Sequence, residues 1–180
     1  MKAVLGVLLA ALALSGCYVS KSMLLDTRQA MRVLQVGTFP DPNEPGDILD
    51  ISAEPNGWYR FYAVGDDTAD RILFTPLPGQ DRILAMAWAE GDAKGGYLYG
   101  LAYPRRDGYV HLAGASCDVG AARQAAIAQG ARITVSTSGS YTCEFRSRQA
   151  LVAALAEYAK TWNWRTATTK LPAEIGARPR

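Results

Sequence analysis

Residues 71–90 read RILFTPLPGQDRILAMAWAE. Two apolar runs, rich in residues that fit a pleated surface, flank Pro78-Gly79-Gln80-Asp81. Apolar run, turn residues and apolar run together predict a β-hairpin. The same punctuation repeats on either side. Upstream, WYRFYAV (58–64) precedes GDDTAD (65–70). Downstream, GDAKGG (91–96) leads to YLYGLAY (97–103), and PRRDG (104–108) leads to YVHLAGA (109–115). Asp107-Gly108 is a strong two-residue hairpin signal, because glycine accepts the positive φ that such turns need. Five strand candidates joined by short turns predict an antiparallel meander.

The flanks change period. Ser20 to Val36 is expected to be helical, either with Asp26-Thr27 as a capping start inside it or running through, and with Gly37 as its end. Asp118 is placed to cap VGAARQAAIAQ (119–129), which Gly130 stops. RITVS (132–136) and YTCEF (141–145) read as two more short strands. Ser147 caps RQALVAALAEYAKTW (148–162), where Leu151, Leu155, Tyr158 and Trp162 share a face. The expected fold class is α+β: a meander of about five strands packed by helices, with a C-terminal helix and one disulfide. Residues 17–166 are expected to form this single domain. Within it, 38–57 reads as an acidic, Pro-rich loop with one extended piece at Ile48 to Ile51, and 167–180 as a flexible basic tail.

The N-terminus is of a different kind. Lys2 precedes 12 apolar residues, Ala3 to Leu14, and then Ser15-Gly16-Cys17. A bilayer-spanning helix needs about 20 such residues and a signal-peptide core about 7–15. Leu14-Ser15-Gly16-Cys17 resembles the lipobox of bacterial lipoproteins. The resemblance covers residues 1–17 only, and no family is recognised in the rest of the chain. It implies a signal peptide over 1–16, cleavage before Cys17 and a diacylglyceryl thioether on its sulfur. Tyr18, rather than Asp, follows the cysteine, which resembles lipoproteins of the outer membrane. The implied address is the bacterial envelope, on the periplasmic face of that membrane.

Composition narrows the function. The 180 residues carry 19 Lys and Arg against 17 Asp and Glu, with one His. This near balance argues against a nucleic-acid partner, and a single His argues against a His-rich metal site. Cys117 and Cys143, an even pair in an oxidising compartment, read as a disulfide.

His111 and Cys117 share a strand face, but six strand residues span about 20 Å, beyond hydrogen-bond reach unless the strand breaks at Gly114. The spacing Asp41-x-Asn43-x-x-Gly46-Asp47-Ile48 partly resembles an EF-hand calcium loop. Pro45 and Ser52, however, occupy positions where oxygen ligands belong. No catalytic residue, metal ligand or cofactor is therefore expected, apart from the lipid on Cys17. Tyr97, Tyr99 and Tyr103 fall on one strand face and, with Trp58, form a candidate binding face that could equally be core.

The resulting expectation is a non-catalytic interaction or structural lipoprotein, held to the membrane by its lipid, with other envelope proteins as candidate partners. The alternatives are a binder of a small ligand, peptide or glycan on the tyrosine face, and a Cys/His hydrolase centred on His111.

Overall fold

Successive side chains of each meander strand point to opposite faces of the sheet, and both faces are covered. The structure, a computed structural model, describes residues 17–64, 68–91, 95–164 and 169–174. The expected signal peptide, the acids Asp66 and Asp67, and the chain end from 175 lie outside them. The five expected strands are present as β4 (Tyr59–Ala63), β5 (Asp70–Pro76), β6 (Leu84–Glu90), β7 (Tyr97–Pro104) and β8 (Tyr109–Gly114). Each pairs antiparallel with the next. Gly108 holds φ +85° in the β7–β8 turn, as the Asp-Gly pair predicts.

The meander is the middle of a larger, open, mixed sheet. Its eleven strands among the described residues exceed the number expected. β2 (Gly37–Pro40) and β3 (Ile48–Ala53) extend it beyond β4. β1 (Tyr18–Ser20) lies antiparallel to β7 and parallel to β10 (Tyr141–Glu144), which pairs with β9 (Arg132–Val135). β11 (Thr169–Pro172) pairs with β8. Two α-helices complete the described elements: α1 (Gly120–Ala128) and α2 (Arg148–Thr161).

Strand β6 shows why the sheet is buried twice. Leu84, Met86 and Trp88 point to one face, and Ala85, Ala87 and Ala89 to the other. A strand covered on both faces reads as a continuous apolar run rather than as an alternation of apolar and polar residues. On the alanine side, Tyr18, Leu73, Tyr99 and Leu101 join Leu151, Leu155 and Tyr158 of α2 and Ala122 and Ala126 of α1 in a first core. On the other side, Ile51, Phe61, Ile72, Phe74, Met86, Trp88, Val110 and Leu112 form a second core. The sheet curls around this second core until β11 meets the chain entering β2. Leu34 bridges Ala173, the Gln35 amide donates to the Pro172 carbonyl at 3.0 Å, and the Glu174 amide donates to Val33 at 2.8 Å.

Three expectations need correction. Ser20 to Val36 is not an α-helix. Its first residue belongs to β1, and Asp26 caps only a 3-10 turn over Thr27–Gln29, accepting from the Arg28 amide at 3.0 Å. Beyond it the chain is extended, because tertiary partners claim its amides. Met31 donates to the Phe74 carbonyl at 2.8 Å, while Val33 and Leu34 donate to the buried Tyr59 hydroxyl at 2.8 and 3.1 Å. Asp118 does not cap α1. Its carboxylate accepts from the Tyr141 amide at 2.7 Å, and the helix begins after Val119 without a side-chain cap. The stretch expected to be a loose tail contains β11, and the acidic loop reaches it. Asn43 accepts from the Lys170 amide at 2.8 Å and donates to the Lys170 carbonyl at 2.9 Å.

Two local readings hold. Ser147 Oγ accepts from the Ala150 amide at 3.2 Å at the start of α2, and Gly130, at φ +76°, follows α1. Cys117 and Cys143 are joined, with Cα atoms 5.8 Å apart. The bridge ties the segment after β8 to β10, across the start of β1.

Two predictions follow from this packing. A Cβ at Gly100 would run into the Ala113 carbonyl oxygen and meet the Met86 methyl at 2.8 Å. Gly100→Val should therefore cost at least about 1–3 kcal/mol, the usual penalty of overpacking, read as a lower urea midpoint at unchanged slope. Cys143→Ser should cost about 2–4 kcal/mol on the chain-entropy account of the 26-residue separation. In the unaltered folded protein, neither Cys117 nor Cys143 should label with a maleimide before reduction.

Candidate functional site

β7 has two different neighbours along one edge. Residues Gly100 to Pro104 pair with β8, whereas Tyr97 to Tyr99 pair with β1. At the fork, Gly100 faces Gly114 and Tyr99 faces Tyr18. The crossing chain is held by the Tyr18 amide on the Ala115 carbonyl at 3.0 Å and the Ala115 amide on the Tyr99 carbonyl at 3.1 Å. Cys17 lies here, bridged to Ser116, and its carbonyl accepts from the Cys143 amide at 3.1 Å.

A cavity of about 320 Å³ opens at this fork. Its wall includes Cys17, Met86, Leu98, Leu112, Tyr158 and Val119, together with Trp88 and Trp162. The size falls at the small end of the range of ligand sites, about 300–1,000 Å³. The lining is mostly apolar, and its polar groups are few. Tyr158 is committed, its hydroxyl donating to the Gly114 carbonyl at 3.2 Å. Burial pushes its pKa up to about 12. The indole N–H groups of Trp88 and Trp162 are buried and have no acceptor among the described residues. A buried donor left without a partner costs about 1–3 kcal/mol.

Cys17 is 7% exposed. Burial, reinforced by the nearby Asp118 charge, raises its thiol to about 11. The thiolate, which is the nucleophilic form, is thus scarce at neutral pH once the domain has folded.

The other residues singled out in the sequence lie elsewhere. Tyr97, Tyr99 and Tyr103 do share a face, but it is the face of the first core. Tyr99 is 1% exposed beneath the segment after β1, its hydroxyl within 2.7 Å of Ser20 Oγ and accepting from the Leu24 amide at 3.0 Å. Tyr97 stacks near Trp58 and Tyr103 near Trp164, with ring centroids 6.2 and 5.1 Å apart. The expected binding face is therefore interior at Tyr99 and Trp58, because the meander needs that apolar area to hold the helices. His111 is buried, with Nε2 2.8 Å from Asp107 Oδ2. Burial would raise the Asp107 carboxyl, but hydrogen bonds from His111 and from the Tyr109 amide outweigh it and hold the group below its ordinary range. Both sulfurs that might have served His111, those of Cys117 and Cys143, are bonded to each other. Sequence reasoning missed the cavity, since Trp88, Trp162 and Val119 come from three separated elements. Of the cavity residues, only Cys17 carries a signal legible in the sequence.

Comparison of the chain with protein-family models, with curated proteins and with solved structures gave no match.

In chain that carries no lipid, Cys17 should alkylate slowly at pH 8. A thiol raised by two units, from the ordinary 9.0 to about 11, offers about a hundredfold less thiolate there. The rate should climb as pH rises from 9 to 11, and unfolding in urea should make Cys17 react quickly at pH 8. Equal rates in folded and unfolded chain would contradict the burial of this thiol.

Proposed function

We propose that the protein is a lipid-anchored module of the bacterial envelope, non-catalytic, acting through contacts with the membrane and with other envelope proteins. The observation that carries this reading is Leu14-Ser15-Gly16-Cys17, directly after 12 apolar residues and a charged start. The Cys117–Cys143 disulfide supports it, since such bonds persist mainly in oxidising compartments. Tyr18 after the cysteine favours the periplasmic face of the outer membrane.

One acyl chain holds a protein only marginally, because each buried methylene contributes about 0.8 kcal/mol; two signals are needed for stable anchoring. A diacylglyceryl group meets that need. The first strand, β1, starts at Tyr18, immediately after the lipidated residue. The anchor thus joins the domain with no spacer, and the fork between β7, β8 and β1 lies against the leaflet. A domain held this closely presents one constant side to the membrane and the opposite side to partners. The pairing of Cys117 with Cys143 and the Asp107 contact of His111 support the non-catalytic part of the reading.

Mass spectrometry of protein extracted from its own envelope should show an N-terminal Cys17 carrying acyl groups. Cys17→Ser should leave the chain uncleaved or release it to the soluble periplasmic fraction. A native N-terminus that begins elsewhere and carries no lipid would end the proposal.

A further inference from the structure

We propose that Tyr103, Trp162 and Trp164, with Val119 beside them, form the face that seats in the leaflet carrying the anchor, so that the domain lies on the membrane in one orientation instead of swinging from its lipid. The inference rests on the anchoring proposed above and deepens it by naming the side chains that meet the lipid. Cys17, Val119 and Trp162 line the same opening at the fork. The Trp162 ring lies 6.3 Å from that of Trp164, which lies 5.1 Å from that of Tyr103. The aromatic cluster therefore starts beside the attachment residue and continues to the end of β7. All three rings are partly exposed, and Val119 is 43% exposed. Trp162 and Trp164 follow Thr161, where the chain leaves α2. The other tryptophans, Trp58 and Trp88, are only 5% and 6% exposed. The chain thus buries two indoles and leaves two partly in water, at the side where the anchor attaches.

The anchor fixes what covers this face. A thioether puts the glyceryl group one bond from the Cys17 sulfur, and β1 starts at the next residue, so no spacer separates the domain from the level where acyl chains meet headgroups. Trp and Tyr favour that same level, because each ring offers an apolar body and a polar edge. Peripheral apolar surfaces sink about 5–10 Å into it. Arg105 and Arg106, exposed in the turn after β7, bring guanidinium groups to the lipid phosphates beside Tyr103, with their stems on the apolar side. The neighbouring carboxylate, Asp107, is engaged by His111. A tethered face needs little affinity of its own, since the tether already holds it at the surface. Four side chains too few to hold a free protein suffice to orient an anchored one.

The test reconstitutes the lipidated mature protein into vesicles of phosphatidylcholine and phosphatidylglycerol whose acyl chains carry bromine near the glyceryl end. Bromine quenches indole emission only at contact range. Trp58 is the control: it packs against Tyr97 at the far end of β7, six strand residues or about 20 Å from Tyr103. Replacing Trp162 and Trp164 together by Phe should lower the quenched emission at least about twofold, whereas Trp58→Phe should leave it unchanged. Val119→Glu sets a charge on the face from an exposed position at the start of α1. It should cut the quenching several-fold, with the lipid still present by mass and the near-ultraviolet circular dichroism unchanged. If Cys17 carries its lipid and the Trp162 and Trp164 replacements leave the quenching as it was, the seat is overturned and the anchor stands. If quenching survives Val119→Glu, the domain meets the leaflet by another face and the proposed seat is likewise wrong. If Cys17 carries no lipid, both readings fall.

Discussion

Everything in this molecule depends on the fork in strand β7. One edge of the strand is satisfied by β6, and the other is divided between β8 and β1. Gly100 pairs with Gly114 across the fork, where the backbones approach closely. A side chain at Gly100 would strike the Ala113 carbonyl. Because β8 and β1 diverge there, the sheet takes two paths. One curls through β8 and β11 around the second core, and the other runs through β1 and β10 beneath the helices.

The divergence also accounts for the opening beside Cys17. Two strands that part leave a gap, and side chains from both cores line it. The gap is stabilised on its flank by the disulfide, which holds the segment after β8 to β10 while β1 passes between them. Covalent cross-links gain most where they close long loops. Here the bridge lies beside the pairing of β1 with β10, which the Cys143 amide on Cys17 and the Phe145 amide on Val19 also hold. Burial of Cys17 at this point explains its raised thiol pKa.

Much of the fold is legible in the chain. RILFTPLPGQDRILAMAWAE and its neighbours specify strands and turns through local chemistry. Apolar runs, Pro78-Gly79 and Asp107-Gly108 act over a few residues, and no distant contact overrides them. Ser147 and Gly130 work in the same way at helix ends. The apolar spacing of Ser20 to Val36 is compatible with a helix, but the Phe74 carbonyl, the Tyr59 hydroxyl and the Pro172 carbonyl take its amides instead. β11 was missed for a related reason. An edge strand of four residues carries little period of its own, and its pairing is set by β8 and Asn43.

The same division holds for the site. By itself the sequence determined the meander, the C-terminal helix and the cysteine pairing, and it marked Cys17 as the residue to watch. All of these are written in residues close together in the chain, or in an even count of sulfurs. Only the tertiary structure decided that Tyr99 and Trp58 are interior, that Asp118 serves Tyr141 rather than a helix, and that Cys17, Trp88, Val119 and Trp162 meet at one cavity. The physical reason is that burial and cavities are properties of surfaces brought together from distant segments. No local period records which of two apolar faces will be covered by what.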